Sequence, residues 1–179
     1  VRIYSKTGDK GETGLIGGER VPKHSSTIDA VGHLDELNSF LGFARITAGV
    51  RYQAILAHAQ NSVFEIGSEV ASPPDSPYGV VADIEDLVQE LEQSIDQLES
   101  EMPPLTSFIL PGDTEEAARL HLARSVCRRA ERVVAKWREE NEGRMVTIQV
   151  LNRLSDWLFV AARHSVVTKD LEVTQWSKK

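Results

Sequence analysis

The sequence has one cysteine, Cys127, in 179 residues. It therefore has no intramolecular disulfide and no cysteine-rich zinc site. No apolar run approaches the ~20 residues of a membrane span, and the opening Val-Arg-Ile-Tyr carries no secretory hydrophobic region. A cytoplasmic protein of a reducing compartment, such as a bacterial cytosol, is the expectation. Bases are outnumbered, 20 against 27 acids, for a net charge of -7. That balance argues against a general nucleic-acid or membrane-surface binder. Several catalytic signatures are missing as well. None of the five histidines follows a Glu by three residues, so the di-iron bundle motif is absent. There is no Walker A loop, no dinucleotide fingerprint in a parallel α/β setting and no Gly-x-Ser-x-Gly elbow. No histidine pairs into a metal-ligand spacing, and no protein-held metal site is expected.

The chain length suits one domain with a full core, and it has no internal repeat. Residues 1–26 stand apart. They hold Gly8, Gly11, Gly14, Gly17 and Gly18, five of the twelve glycines, together with Lys6, Lys10, Arg20 and Lys23. Glycine at that density opposes a helix, so a loop is expected, with a short strand at Arg2–Tyr4. From there the apolar residues fall into helical steps of three and four. Helix one runs from Thr27 to about Thr47, capped by Ser26 or Thr27. Helix two covers about Tyr52–Ala71 and helix three about Asp83–Glu101, the latter with an acidic outer face. Asp113 with Glu116 reads as a capping box for helix four, which extends to about Glu140. Asn141-Glu142-Gly143 forms a turn, and helix five spans about Met145–Thr168. The fold class is all-α, a five-helix bundle (27–169) behind the glycine-rich loop (1–26), with a short tail (170–179).

Two features bear on chemistry. In Ser5-Lys6-Thr7-Gly8-Asp9-Lys10-Gly11-Glu12-Thr13-Gly14, small residues let backbone N–H groups approach an anion, and hydroxyls and lysines add donors. The segment reads either as a phosphate cradle or as a loose chain end. In helix four, Arg124, Arg128 and Arg132 recur every four residues and form one stripe, extended by Lys136. The guanidinium fork suits phosphate oxygens, and the plainer alternative is a solvated face paired with neighbouring acids. Asn152 and Asp156 share a face of helix five, as a site wall or a buried network. Asp35 and Glu36 lie in mid-helix one, where pairing with the arginine stripe is the plainer reading. Cys127, Trp137 and Trp157 read as core or interface residues, His33, His58 and His121 as locally hydrogen-bonded, and Phe108 as filling an apolar gap.

Five blocks in order, YSKTGDKGETGL (4–15), VGHLDELNS (31–39), FILPG (108–112), RSVCRRAER (124–132) and LNRLSDWLF (151–159), resemble the PduO-type ATP:cob(I)alamin adenosyltransferases. Together they span nearly the whole chain. The resemblance implies a homotrimer with active sites between subunits. It also implies ATP with a divalent ion, usually Mg2+, as co-substrate and cobalamin as substrate. The 5′-deoxyadenosyl group passes to cobalt, giving adenosylcobalamin and triphosphate. Cob(I)alamin is itself the nucleophile. The protein has only to align cobalt with the ribose C5′ and to stabilise charge on the leaving triphosphate. A non-catalytic ATP- and corrinoid-binding carrier or sensor is the alternative. A corrinoid reductase and an adenosylcobalamin-dependent enzyme are possible partners.

Position by position, the resemblance makes Ser5, Lys6, Thr7, Gly8, Thr13, Gly14 and Lys23 the ATP loop. Arg128, Glu131 and Arg132 become phosphate and ribose partners, joined by Asn152. Arg124 resembles an arginine that pairs with an aspartate, here Asp35, across a subunit interface. Phe108 resembles the aromatic that displaces the lower axial ligand of cob(II)alamin, which eases reduction to Co(I). The apolar linker before helix four would line the corrin pocket. The family's usual Leu-Pro-Gly-Gly is here Leu110-Pro-Gly-Asp113.

Overall fold

The computed structural model describes residues 2–73, 84–141 and 145–177. Five helices dominate: α1 Ser26–Arg45, α2 Val50–Val70, α3 Ile84–Ser100, α4 Glu115–Asn141 and α5 Met145–Val167. Each lies within a few residues of its expected span. The predicted helix-three start at Asp83 and most of the Asn141–Gly143 turn fall outside the described residues.

Two expected caps are replaced by neighbouring residues. The start of α1 is capped by Ser25, whose Oγ accepts from the Ile28 amide at 3.4 Å, and not by Ser26 or Thr27. At α4 the capping box does not form. Asp113 has φ +69°, a left-handed conformation incompatible with the extended backbone of an N-cap, and Thr114 takes over by accepting from the Ala117 amide at 3.1 Å. Glu116 turns away from the helix end. Its buried carboxylate accepts from the Gly49 amide and from Lys169 Nζ, both at 2.6 Å.

The apolar stripes meet as their spacing requires. α1 packs on α2 and α4, and α5 on α4 and α3. Leu34, Leu37 and Leu41 of α1 are fully buried, as are Leu87 and Leu91 of α3 and Leu151, Leu154 and Leu158 of α5. Small residues at Ala123, Cys127 and Ala130 let α4 approach its neighbours closely. The Cys127 thiol donates to the Leu151 carbonyl at 3.2 Å, and burial raises its pKa. Trp137 and Trp157 are core residues whose indole N–H groups are satisfied by Thr27 Oγ1 and Ser94 Oγ.

The segment ahead of α1 is a small hairpin. β1 (Glu12–Gly14) pairs antiparallel with β2 (Arg20–Pro22), Thr13 opposite Val21. The short strand expected at Arg2–Tyr4 is not formed. The hairpin turn is fastened to the bundle where the Ile16 amide donates to the Ala71 carbonyl at 2.9 Å, just past α2.

α1 and α4 run antiparallel. Trp137 meets Thr27 at one end, and the Arg119 guanidinium sits 4.0 Å from the centre of the Phe43 ring at the other. At the second end the chain leaves α3 through Pro103-Pro104 and reaches α4 by the linker that carries Phe108. The tail after α5 comes back alongside it. Leu110 N–H donates to Thr174 O, Trp176 N–H donates to Phe108 O, both at 2.8 Å, and Ile109 bridges Gln175. The tail is thus a second strand to the linker.

A polar network lies where α2, the end of α3 and α5 meet. Tyr52 Oη meets His164 Nδ1 at 2.7 Å, His164 Nε2 meets Glu101 at 3.1 Å, and Arg51 binds Glu101 through both terminal nitrogens. Arg163 donates to the Pro103 carbonyl. Burial, with Glu116 nearby, pushes the Tyr52 phenol up to about 12. Tyr52 and His164 are buried, so their hydrogen bonds satisfy groups that water barely reaches, while Arg51 and Glu101 stay partly exposed.

Candidate functional site

The glycine-rich loop is built around its own backbone. Gly11 N–H returns to Gly8 O at 3.2 Å and Lys23 N–H donates to Gly11 O at 2.9 Å. A side chain at Gly8 would meet the Glu12 carbonyl and the end of Lys23, each at 3.2 Å. Glycine therefore lets the Lys23 ammonium lie against the turn. Ser5 and Thr7 hydroxyls are 2.8 Å apart, and Arg20 of β2 donates to the Thr7 carbonyl at 2.8 Å. Lys6 has φ +62° and its ammonium lies 5.7 Å from the Tyr4 ring centre. Three cations thus surround exposed hydroxyls and amides, an arrangement that suits a polyanion. Arg20 was not among the expected site residues. Its position opposite Gly14 in the hairpin register is the signal that places it here.

On α4 the arginines divide by burial. The Arg128 side chain is exposed and makes no hydrogen bond or ion pair among the described residues. Arg132 is exposed and donates to the Arg128 carbonyl at 2.9 Å. Paired acids therefore do not account for these two residues. Acid pairing falls instead to Arg129, which binds Glu36 of α1. Beside the stripe, Asn152 Nδ2 of α5 donates to Glu131 Oε1 at 3.1 Å, and Arg153 holds Asn152 Oδ1 at 2.7 Å while binding Glu92 of α3 at 2.6 Å. Arg128, Glu131, Arg132 and Asn152 thus meet on one α4–α5 face.

Arg124 is half-buried, 6.0 Å from the Phe159 ring centre, and its Nε has no acceptor. Burial, with the Arg128 charge close by, lowers its pKa. His121, one turn earlier, is buried with Nδ1 unpartnered, contrary to the local bonding expected of it. Burial and the Arg124 charge push its pKa down to about 4, against a weaker opposing pull from Asp113. The other two histidines are bonded as expected, His33 to the Asp29 carbonyl at 2.9 Å and His58 to Glu90 at 2.6 Å.

Asp35 is exposed and lines a cavity of about 190 Å³ between the hairpin turn and the α1–α2 pair, with Ile16, Asn38, Phe64 and Gly67. It makes no ion pair with Arg124 within the chain. Phe108 does not fill a core gap. Its ring is 81% exposed and stands edge-on to Trp176, with centroids 6.5 Å apart. The chain therefore brings together the loop residues with one another, and Arg128, Glu131, Arg132 and Asn152 with one another. No hydrogen bond or ion pair among the described residues joins those two groups to each other or to Phe108.

The chain is thus an all-α bundle carrying a cation-rich loop and two arginines without acid partners among the described residues. Residues 3–165 match the cobalamin adenosyltransferase family model, and the chain belongs to that family. It is 40% identical over 173 residues to corrinoid adenosyltransferase MMAB of Mus musculus, covering 93% of this chain and 73% of that protein. It is 39% identical over 169 residues to a corrinoid adenosyltransferase of Bacillus subtilis, covering 91% and 86%. A solved variant of the PduO-type ATP:corrinoid adenosyltransferase of Lactobacillus reuteri, complexed with cobalamin and ATP, superimposes with a TM-score of 0.92 at 31% identity. That match covers 99% of this chain and 100% of the other.

Proposed function

We propose that this chain transfers the 5′-deoxyadenosyl group of ATP to the cobalt of a Co(I) corrinoid. The observation that carries the reading is the exposed Arg128–Arg132 face, without acid partners among the described residues, in a chain of this family. Cobalt attacks the ribose C5′, its electron pair forms the Co–C bond, and the C5′–O pair leaves with triphosphate. The protein's task is alignment and stabilisation of the leaving charge, for which unpaired guanidinium groups are suited. Arg128 and Arg132 take the phosphates. Glu131, oriented by Asn152, takes the ribose. Ser5, Lys6, Thr7, Gly8, Thr13, Gly14 and Lys23 close over the triphosphate, and Arg20 braces them. Mg2+ arrives on the phosphates, because no cluster of three acids, histidines or cysteines fit for an ion occurs among the described residues.

The working unit is a homotrimer. The contacts at Trp137 and Glu116 lie 21 residues apart on α4, roughly 32 Å at 1.5 Å per residue, so one chain anchors its loop and its Phe108 ribbon at opposite ends. Bond formation needs reacting atoms within ~3.5 Å. A second copy that brings its loop to the corrin end resolves the mismatch. It also lets the Asp35 of one copy meet the half-buried Arg124 of another. The enzyme is cytoplasmic, receives reduced corrinoid from a reductase and passes its product to an adenosylcobalamin-dependent enzyme. No helix among the described residues is long and apolar enough to cross a membrane.

The test is an anaerobic assay with chemically reduced cob(I)alamin, ATP and Mg2+, followed by loss of the Co(I) absorption band. A photolabile alkylcobalamin is expected, with kcat/KM at least ~100-fold lower in Arg128→Ala, about 2.7 kcal/mol of transition-state stabilisation. Corrinoid binding without ATP-dependent conversion would overturn the reading and leave a carrier. Light scattering should give three times the 19.9 kDa chain mass, and full activity in a single 19.9 kDa chain would overturn the shared site.

A further inference from the structure

We propose that Asp113 and Thr174 form a clamp that positions Phe108 for its action on the corrinoid. The inference rests on the activity proposed above and on the role that the family resemblance implies for Phe108, displacement of the lower axial ligand of the Co(II) corrinoid. Asp113 sits at φ +69°, where residues other than glycine are uncommon, and the family's usual Gly at this place meets that backbone demand without strain. In this chain the position carries a carboxylate instead. It accepts from Thr174 Oγ1 at 2.6 Å and from the Thr174 amide at 3.2 Å. These bonds close one end of the linker–tail ribbon. Thr174 O accepts from Leu110 N–H two residues beyond Phe108, and Trp176 N–H donates to the Phe108 carbonyl itself. Phe108 is thus held through its main chain, and its ring meets the Trp176 edge at 6.5 Å. An 81% exposed aromatic has little packing of its own to set its direction. The ribbon supplies that direction, and the clamp fixes the ribbon's register.

Asp113 and Thr174 are positioning residues, so the two substrate states should separate their effect from a structural one. In the role implied for Phe108, Co(II) corrinoid needs that ring in place to lose its lower ligand, whereas chemically supplied Co(I) corrinoid has lost it already. In Asp113→Gly and Thr174→Val, the fraction of bound cob(II)alamin lacking its lower ligand, read by electron paramagnetic resonance with ATP present, should fall at least threefold. Turnover of cob(I)alamin should stay within twofold. Asp113→Asn, which keeps an acceptor oxygen, should recover most of the loss. Amide exchange at Leu110 and Trp176 should accelerate at least tenfold in Asp113→Gly and Thr174→Val, which reads the clamp without any corrinoid. Accelerated exchange with an unchanged cob(II)alamin spectrum would overturn the positioning role. Unchanged exchange would overturn the clamp. If the unaltered protein fails to convert cob(I)alamin, the proposed activity fails, and the exchange result still decides the clamp.

Discussion

The Ser5–Lys23 loop and the Phe108 ribbon leave the bundle at opposite ends, and different forces hold them. The loop is shaped by local backbone bonds, by glycine where Lys23 must lie close, and by a three-residue hairpin. It presents charge. The ribbon is built from segments 60 or more residues apart in the chain, with Arg163 on the Pro103 carbonyl where the linker begins. It presents an aromatic ring. A polyanion can be gripped by many exposed donors, each worth little alone. The ligand displacement proposed for Phe108 needs one group in one place, which calls for a rigid base.

The comparison predicts a graded set of losses. Phe108→Ala should be the largest. With cob(II)alamin and a reductant, turnover should drop about 100-fold, or about 2.7 kcal/mol, while ATP affinity measured by titration changes little. An equal fall in ATP affinity would merge the two ends. Next comes acid. His121 has a folded pKa of about 4, below its ordinary 6.5, so its contribution to stability is present above pH 6.5 and is lost as pH falls through 4. The unfolding free energy from urea titrations should fall by about 2 kcal/mol across that window, somewhat less than the full shift would give. In His121→Gln that part of the slope should vanish, and an unaltered slope would refute the assignment.

Smaller effects follow. Tyr52→Phe removes the hydroxyl from a buried network and should lower stability by about 1–2 kcal/mol. It should also disturb the cob(II)alamin spectrum more than it disturbs the KM for ATP. Gly8→Ala should do the reverse. Crowding of Lys23 and the Glu12 carbonyl should raise the KM for ATP several-fold, about 1 kcal/mol, with the unfolding midpoint nearly unchanged. The smallest expected quantity is the coupling between Tyr52→Phe and Gly8→Ala in stability. The sites share no contacts, so it should lie within about 0.5 kcal/mol. A larger value would mean that the ends communicate.

The five helices were legible because their apolar residues repeat at the helical period, and their ends because proline and turn residues punctuate them. The loop was legible as a loop. Its hairpin was not, because two three-residue strands, one ending in glycine and the other in proline, carry no alternation to read. The Asp113–Glu116 spacing pointed to a capping box, and the structure overturned it. Left-handed backbone at Asp113 freed both carboxylates for distant partners, Thr174 for one and Gly49 with Lys169 for the other. The glycine that commonly stands at this position in the family was the available signal of positive φ. Trp176 is exposed. Its contact with Phe108 was invisible, since nothing local ties a tail residue to one 68 positions earlier.

The sequence by itself determined the helices, their buried faces, the cation-rich loop and the arginine stripe, because periodicity and composition act over a few neighbouring residues. Only the tertiary structure decided which arginines are paired, that Glu131 meets Asn152, that Glu116 bonds Gly49 and Lys169, and that linker and tail form one ribbon around Phe108. Those choices depend on hydrogen bonds between residues far apart in the chain. Burial makes such bonds costly to leave unmade, and only the packed bundle brings their partners within reach.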